Sequence, residues 1–154
     1  VDQFLRDIWL ECCGHLSAFR IGATQYLQQR ELAYDPEEPS TRSMDVRLQR
    51  VLTSGQKITY EYDFGSTTEL ALRVAAVRDA PGRAPKVQLL ARNNALEWKC
   101  DRCGKGPAVQ VCTACWDGGS GLFCSRCAEE HDCGPDMLLP VVNSPRMGVC
   151  GYGG

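Results

Sequence analysis

Apolar and polar residues alternate most regularly in the middle of the chain. In residues 57–64 every second side chain is apolar, and the alternation returns in residues 69–77. Gly65 and Ser66 supply a turn between the two stretches, so the pattern predicts a β-hairpin with one apolar face. The apolar positions of the first stretch are Ile58, Tyr60, Tyr62 and Phe64. We expect these side chains, together with Trp9, to lie in a core rather than to stack on nucleic-acid bases.

At the start of the chain, the apolar residues repeat with the period of a helix instead of alternating. Apolar residues recur at steps of three and four from Phe4 to Cys12, which predicts a helix over residues 3–13. Asp2 is placed to cap this helix, and Gly14 to end it.

Weaker patterns complete the first part of the chain. Residues 15–22 and 86–92 alternate as strands, and residues 45–52 are compatible with a short helix. The polar or Gly- and Pro-rich stretches predicted as loops cover residues 28–43 and 78–85. A helix followed by antiparallel strands predicts an α+β domain over residues 1–98.

The composition changes sharply at residue 99. Apolar periodicity fades, Cys and Gly dominate, and few residues remain to build a hydrophobic core. We therefore predict a separate small Cys-rich module over residues 99–136. The chain becomes apolar again afterwards, and we expect residues 137–150 to pack back on the first domain, with an edge strand.

The cysteines of this module follow a regular spacing. Three Cys-x2-Cys knuckles are followed by one His and one further Cys, which gives eight soft donors, enough for two tetrahedral zinc sites. Thiolates also favour zinc over magnesium or calcium. Structural zinc contributes on the order of 10–16 kcal/mol, which a segment with so small a core needs. The predicted ligands are Cys100, Cys103, Cys112, Cys115, Cys124, Cys127, His131 and Cys133.

Other uses of these cysteines are weaker alternatives: disulfides, a thioredoxin-like redox pair, or an iron–sulfur cluster. The ligand pairing is open between an interleaved and a sequential arrangement. The layout resembles the cross-brace zinc fingers of the HIT and MYND type, which favours interleaving. The single residue between His131 and Cys133 departs from that pattern, and Cys150 is the reserve ligand if one of these two does not bind metal.

Two further groups of polar or sulfur-containing residues can be interpreted either as functional sites or as parts of the structure. Cys12, Cys13 and His15 could form a third metal site with Cys150, but packing and a structural hydrogen bond are the favoured interpretation. A polar groove is conceivable at the hairpin tip, where a solvated surface is the simpler expectation. Its residues would be Asp63, Ser66, Thr67, Glu69 and Arg146. We expect Trp98 and Trp116 to cover the metal module or to dock it.

The charge of the chain limits its partners. Seventeen basic and nineteen acidic residues among 154 give a formal charge of −2, and residues 100–133 alone hold three basic and five acidic residues. Phosphate-binding modules normally carry clustered Lys and Arg. No run of 18 apolar residues exists that could span a bilayer. We therefore expect a cytoplasmic protein whose partner is another protein, not a membrane.

Three strings carry a family resemblance: IWLECCGHLSAF at residues 8–19, YEYDFGSTTEL at residues 60–70, and NSPRMGVCGY at residues 143–152. They resemble the plasmid pRiA4b ORF-3-like family, whose members are also labelled insertion-element passenger proteins or "TnpR". The resemblance implies an α+β domain with a hairpin, a bacterial source and carriage on mobile elements. It brings no established activity, and the residue sets of serine and tyrosine recombinases are absent.

These observations favour a non-enzymatic protein with two structural Zn²⁺ ions whose zinc module contacts another protein. The alternatives are a nucleic-acid-binding accessory factor of a transposable element, and an enzyme that uses residues 63–69 with Arg146 or His15. The sequence begins at Val1 rather than Met and shows no secretory signal, so we expect that an upstream piece has been removed.

Overall fold

The computed structural model describes residues 1–28, 40–78, 87–116 and 119–154. The contacts between residues divide the chain into two compact units. One unit combines Val1–Cys13 with Leu89–Gly154, and the other consists of Gly14–Gln88. The predicted limits of independently folding domains, at residues 98 and 136, stay a prediction.

The unit Gly14–Gln88 contains a five-stranded sheet in the order β3-β2-β1-β4-β5. Neighbouring strands are antiparallel except for β2 and β3, which are parallel. A single 3₁₀ turn, Leu48–Arg50, stands where a short helix over residues 45–52 was predicted. The strands are β1 (Ser17–Ile21), β2 (Thr24–Leu27), β3 (Thr41–Ser43), β4 (Lys57–Tyr62) and β5 (Thr68–Arg73).

The predicted hairpin is confirmed as β4 and β5, in which Tyr60 lies opposite Leu70. Tyr60 and Tyr62 are completely buried, as the alternation predicts. The prediction that Phe64 continues this buried face is wrong, since its side chain is 46% exposed. The strand ends at Tyr62, and Asp63 has a positive φ of 63°, so the alternation of faces stops before Phe64.

The predicted strand over residues 86–92 is also wrong in its described part. Residues 87–92 form no strand, and Leu90 is 79% exposed. Alternation alone does not make a strand, because backbone N–H and C=O groups need a partner strand to pair with. Residue 86, and residues 29–39 and 79–85 of the predicted loops, lie outside the described residues.

The other unit begins with a helix that is shorter than the sequence predicts. Helix α1 (Asp2–Leu5) continues as a π-helical turn, Arg6–Leu10, and the chain is extended at Glu11. The Arg6 guanidinium donates to Asp2, with Nε 3.0 Å from Oδ2, and to Glu11, with an N–O distance of 2.9 Å. Asp2 therefore contacts Arg6 from inside the helix, and Val1 takes the N-cap position.

A small antiparallel sheet in the order β7-β6-β8 organises the rest of this unit. Its strands are β6 (Gln110–Cys112), β7 (Leu122–Phe123) and β8 (Leu138–Pro140), with helices α2 (Thr113–Trp116) and α3 (Ser125–Glu129) and the 3₁₀ turn Pro135–Met137. Within the segment expected to return to the first domain, β8 pairs with β6. The short helix, the largely antiparallel sheets and the Cys-rich part confirm the α+β class.

Trp98 and Trp116 pack beside this small sheet. Their rings meet edge to face, with centroids 6.1 Å apart, and both side chains border the cluster around Val111, Leu122 and Met147. The two tryptophans thus cover the apolar side of the Cys-rich part.

Candidate metal centres

The first candidate centre brings together the first and third Cys-x2-Cys knuckles. It consists of Cys100, Cys103, Cys124 and Cys127, whose sulfur atoms all lie within 4.8 Å of one another. The Sγ atoms of Cys103 and Cys124 are 3.9 Å apart. Cys124 takes the N-cap position of α3, and Cys127 lies inside that helix, so one helical turn directs both thiols of the third knuckle to one point.

The first knuckle is a tight turn. The N–H of Gly104 donates to the carbonyl of Cys100 at 2.8 Å, and Gly104 has a positive φ of 65°, a conformation that glycine adopts without strain. The N–H of Cys100 donates to the carbonyl of Gly106 at 3.0 Å. These bonds close the turn and hold Cys100 and Cys103 on the same side.

Asp101 ties the first knuckle to the strand that leads into the third. Its Oδ2 accepts the N–H groups of Gly121 and Leu122, both at 2.8 Å, and its own N–H donates to the carbonyl of Leu122 at 2.8 Å. Arg102 adds a second tie, because it donates to the carbonyl of Glu130 at 3.0 Å. Nothing in the sequence marks Asp101 for this role, since a lone Asp after a Cys carries no spacing signal.

The second candidate centre brings together the second knuckle and the residues that follow α3. It consists of Cys112, Cys115, His131 and Cys133, with donor atoms within 4.8 Å of one another. The Sγ of Cys115 is 3.6 Å from Nε2 of His131 and 3.7 Å from Sγ of Cys133. The His131 ring stacks at a tilt against Phe123, with centroids 4.4 Å apart. Phe123 thus helps to hold the imidazole towards the thiols.

Gly121 allows the second knuckle to approach β7. A Cβ atom at this position would lie 3.1 Å from the N of Trp116 and 3.2 Å from the O of Cys112. The N–H of Cys112 donates to the carbonyl of Gly121 at 2.8 Å. The backbone passes so closely that any side chain at residue 121 would push α2 away. No local pattern in the sequence marks this glycine, because its role depends on Cys112, nine positions earlier in the chain.

Backbone and imidazole donors favour a thiolate in each centre. Burial opposes ionisation of Cys100, but N–H groups of Cys124 and Cys103 donate to its sulfur and lower its pKa to about 6. Burial opposes ionisation of Cys112 too, yet His131 and the N–H groups of α2 lower its pKa to about 7. N–H groups that point at sulfur are typical of thiolates that hold metal.

Two further thiols, those of Cys115 and Cys127, resist ionisation. Hydrogen bonds with Cys112 and Cys133, and then burial, raise the pKa of Cys115 to about 11. Burial, followed by hydrogen bonds with the other cysteines of its centre, raises the pKa of Cys127 to about 12. Several thiolates collect at one point only if a cation neutralises their repulsion.

The donor sets fit a tetrahedral soft metal ion. With sulfur about 2.3 Å from zinc, the sulfur atoms of a tetrahedron stand roughly 3.8 Å apart. The distances of 3.9 Å and 3.7 Å between sulfur atoms agree with that value. The two centres group the predicted ligands in the interleaved way and place both His131 and Cys133 in one group. That these residues hold zinc stays a prediction.

The residues of the predicted polar groove divide between the two units. Asp63, Ser66, Thr67 and Glu69 belong to Gly14–Gln88, whereas Arg146 belongs to the other unit. Asp63 is buried, and its Oδ1 accepts the N–H groups of Gly65 and Ser66 at 3.1 Å and 3.3 Å. Asp63 therefore holds the hairpin turn together, and its Oδ1 also lies 3.4 Å from Nδ1 of His15.

A third group of cysteines lies outside the Cys-rich segment. The Sγ of Cys13 is 3.6 Å from that of Cys12 and 3.8 Å from that of Cys150. Cys150 therefore contacts Cys13, and His131 and Cys133 complete the second centre without it. Hydrogen bonding with Cys12, burial and hydrogen bonding with Cys150 raise the pKa of Cys13 to about 12.

Comparison with known proteins identifies one family. The sequence model of the plasmid pRiA4b ORF-3-like proteins matches residues 8–99, well over half of the chain, and ends directly before Cys100. Neither a curated protein nor a solved structure matches the chain. Among the residues that the structure describes, no helix is long and apolar enough to cross a membrane. The eight donors of the two centres lie beyond the matched residues, and the protein thus belongs to the plasmid pRiA4b ORF-3-like family.

Proposed function

We propose that residues 99–136 form a structural module built on two Zn²⁺ ions, and that this module binds another protein. The observation that carries the proposal is the composition of the core around the two centres. Three of its five buried residues are cysteines, Cys100, Cys112 and Cys127, joined by Phe123 and Ala128. A core that consists mainly of thiols contributes little apolar area of its own, which supports metal–ligand bonds as the source of stability around the two centres.

Each centre offers four protein donors, which is the pattern of structural rather than catalytic zinc. A catalytic ion keeps one position for water or substrate, and four Cys or His ligands leave none. We therefore assign the zinc no chemical step. The interleaved grouping supports a relationship with cross-brace fingers of the HIT and MYND type, in which two ions join distant knuckles into one rigid surface.

A cleft beside the module supports the protein-binding part of the proposal. It has a volume of about 370 Å³ and is lined by the half-buried Trp9, Trp98 and Trp116, with Leu96 at its edge. The Leu96 side chain is 68% exposed. Tryptophans in a cleft are frequent anchors of protein interfaces. Because residues 100–133 carry a net charge of −2, the fitting partner is a protein segment with an apolar anchor next to basic residues.

Zinc content tests the structural part and the pairing together. In the interleaved arrangement the pair of substitutions Cys103→Ser and Cys124→Ser removes one ion, whereas Cys103→Ser with Cys112→Ser removes two. A sequential arrangement reverses this result, because Cys103 and Cys112 would then share an ion. Ala114→Ser is the matched control, since Ala114 is exposed within the second knuckle and its side chain offers no metal ligand. Native mass spectrometry of the purified chain counts the ions.

Chelation tests whether zinc is structural. We expect a strong chelator to remove the near-ultraviolet circular dichroism of Trp98 and Trp116, which pack beside the module, and zinc to restore it. A chain that holds no zinc, or that keeps this signal after all metal has left, would contradict the proposal.

Photo-crosslinking in cells tests the partner class. A photoreactive amino acid at Leu96 should capture a protein, and the same probe at the exposed Arg126 should not capture it. The captured protein, once purified, should bind the chain in calorimetry at least tenfold more weakly after Trp98→Ala, since a tryptophan anchor contributes about 2 kcal/mol or more. Capture of nucleic acid, or equal binding by the variant, would refute a protein interface at this cleft.

A further inference from the structure

The unit that contains the two candidate centres, Val1–Cys13 with Leu89–Gly154, holds a further group of thiols. Cys12 and Cys13 follow the π-helical turn, and Cys150 lies near the end of the chain. The three sulfur atoms lie within 4.8 Å of one another, with 3.6 Å between the Sγ atoms of Cys12 and Cys13 and 3.8 Å between those of Cys13 and Cys150. These separations are close to the 3.9 Å and 3.7 Å between sulfur atoms in the two centres described above.

Ordinary packing does not explain this cluster. Unbonded cysteines in proteins are usually buried like small apolar side chains. Here Cys13 and Cys150 are exposed, and Cys12 is half-buried. Cys150 also has a positive φ of 49°, which is costly for a residue with a side chain. An exposed cluster held in a strained conformation indicates a bound ligand rather than a core.

The chain on both sides of the cluster is firmly held. The hydroxyl of Ser144 donates to the carbonyl of Trp9 at 2.7 Å and accepts the N–H of Arg146 at 2.8 Å, so it joins the segment before Cys12 to the segment before Cys150. Tyr152, after Cys150, is buried. The three thiols thus come from two segments that are fixed to each other without them, as in a preformed site.

We propose that Cys12, Cys13 and Cys150 form a third zinc site, separate from the two centres of residues 99–136. Three thiolates are a soft donor set that selects Zn²⁺ over Mg²⁺ or Ca²⁺. A tetrahedral ion takes a fourth nitrogen or oxygen donor.

This site would clamp the N-terminal helical segment to the C-terminal tail. Cys12 and Cys150 are separated by most of the chain, and a metal ion that joins them closes a long loop. Such closure stabilises the folded state, because it removes conformational freedom from the unfolded chain.

Metal counting on the full chain tests the proposal. We expect three zinc ions per wild-type chain and two in each of Cys13→Ser and Cys150→Ser, while the exposed tail variant Asn143→Ser keeps three. Loss of one ion from Cys103→Ser in the same series shows that the other centres are counted separately. Two ions in the wild type, or three in Cys150→Ser, would overturn the third site and leave the proposed module intact.

Alkylation with iodoacetamide gives a readout that does not depend on the folding of a variant. Zinc should protect Cys13 and Cys150 of the wild-type chain, and zinc removal should make both react at least tenfold faster. Rapid alkylation of both thiols in the zinc-loaded chain would overturn the proposal. So would a disulfide between Cys13 and Cys150 in protein purified without reductant.

Discussion

Asp101 offers the sharpest test of how the two knuckles of the first centre are joined. Its Oδ2 accepts two N–H groups, from Gly121 and Leu122, which belong to buried residues. Asp101→Ala leaves both groups without this partner. A hydrogen bond to a charged group contributes about 1.5–3 kcal/mol, but Asp101 itself is exposed and water replaces part of the loss. We therefore expect a total cost of roughly 2–4 kcal/mol.

This cost falls on the zinc-bound, folded state of the first centre. At about 1.4 kcal/mol for each factor of ten, its zinc affinity should fall roughly 30- to 700-fold in Asp101→Ala. Competition with a chromophoric chelator measures that affinity. Asp101→Asn is the matched control, because its one carbonyl oxygen can still accept both N–H groups, and it should lose less than half as much free energy.

Two results would refute this reasoning. If Asp101→Ala binds zinc within threefold of the wild type, the two hydrogen bonds do not join the knuckles. If Asp101→Asn lowers the zinc affinity as much as Asp101→Ala does, the charge of Asp101 matters and the position of its oxygen does not. In that case the geometric account of the first centre fails.

Two further predictions concern packing, and urea unfolding of the zinc-saturated chain measures both. Gly121→Ala should lower the free energy of unfolding by about 1–3 kcal/mol, because the new Cβ would crowd the backbone of Trp116. Its control, Gly106→Ala, should change little, since the nearest atom would be 3.8 Å away; equal effects would contradict the close approach. Tyr60→Ala should cost about 3–5 kcal/mol as a fully buried aromatic. Phe64→Ala should lower the free energy of unfolding by less than about 0.5 kcal/mol, because β4 ends before this residue. A large loss of stability would instead place Phe64 on the buried face, as the alternation predicts.

The sequence alone determined the local elements with strong patterns. The β4–β5 hairpin follows from strict alternation around Gly65 and Ser66, because the two faces of a strand differ by a single residue step. The knuckle at Cys100 follows from its spacing and from Gly104, because glycine adopts the positive φ of this turn without strain. These features depend on residues close together in the chain.

The same local reasoning failed where a feature depends on a distant partner. Residues 87–92 alternate but form no strand, since alternation does not supply a pairing edge. The Phe64 side chain does not lie on the buried face of β4, because the backbone turns at Asp63. The pairing of β8 with β6 joins segments more than 25 residues apart, which no local period encodes.

For the candidate centres, the sequence predicted eight donor side chains, and only the tertiary structure decided how they group. Knuckle spacing is a local property, and it serves the interleaved and the sequential arrangement equally well. The grouping follows from Asp101 and Gly121, which bring β7 against the first and second knuckles through backbone contacts. The place of Cys150 beside Cys13 has the same origin. Contacts across such separations are fixed by packing and hydrogen bonds between segments, and therefore by the fold as a whole.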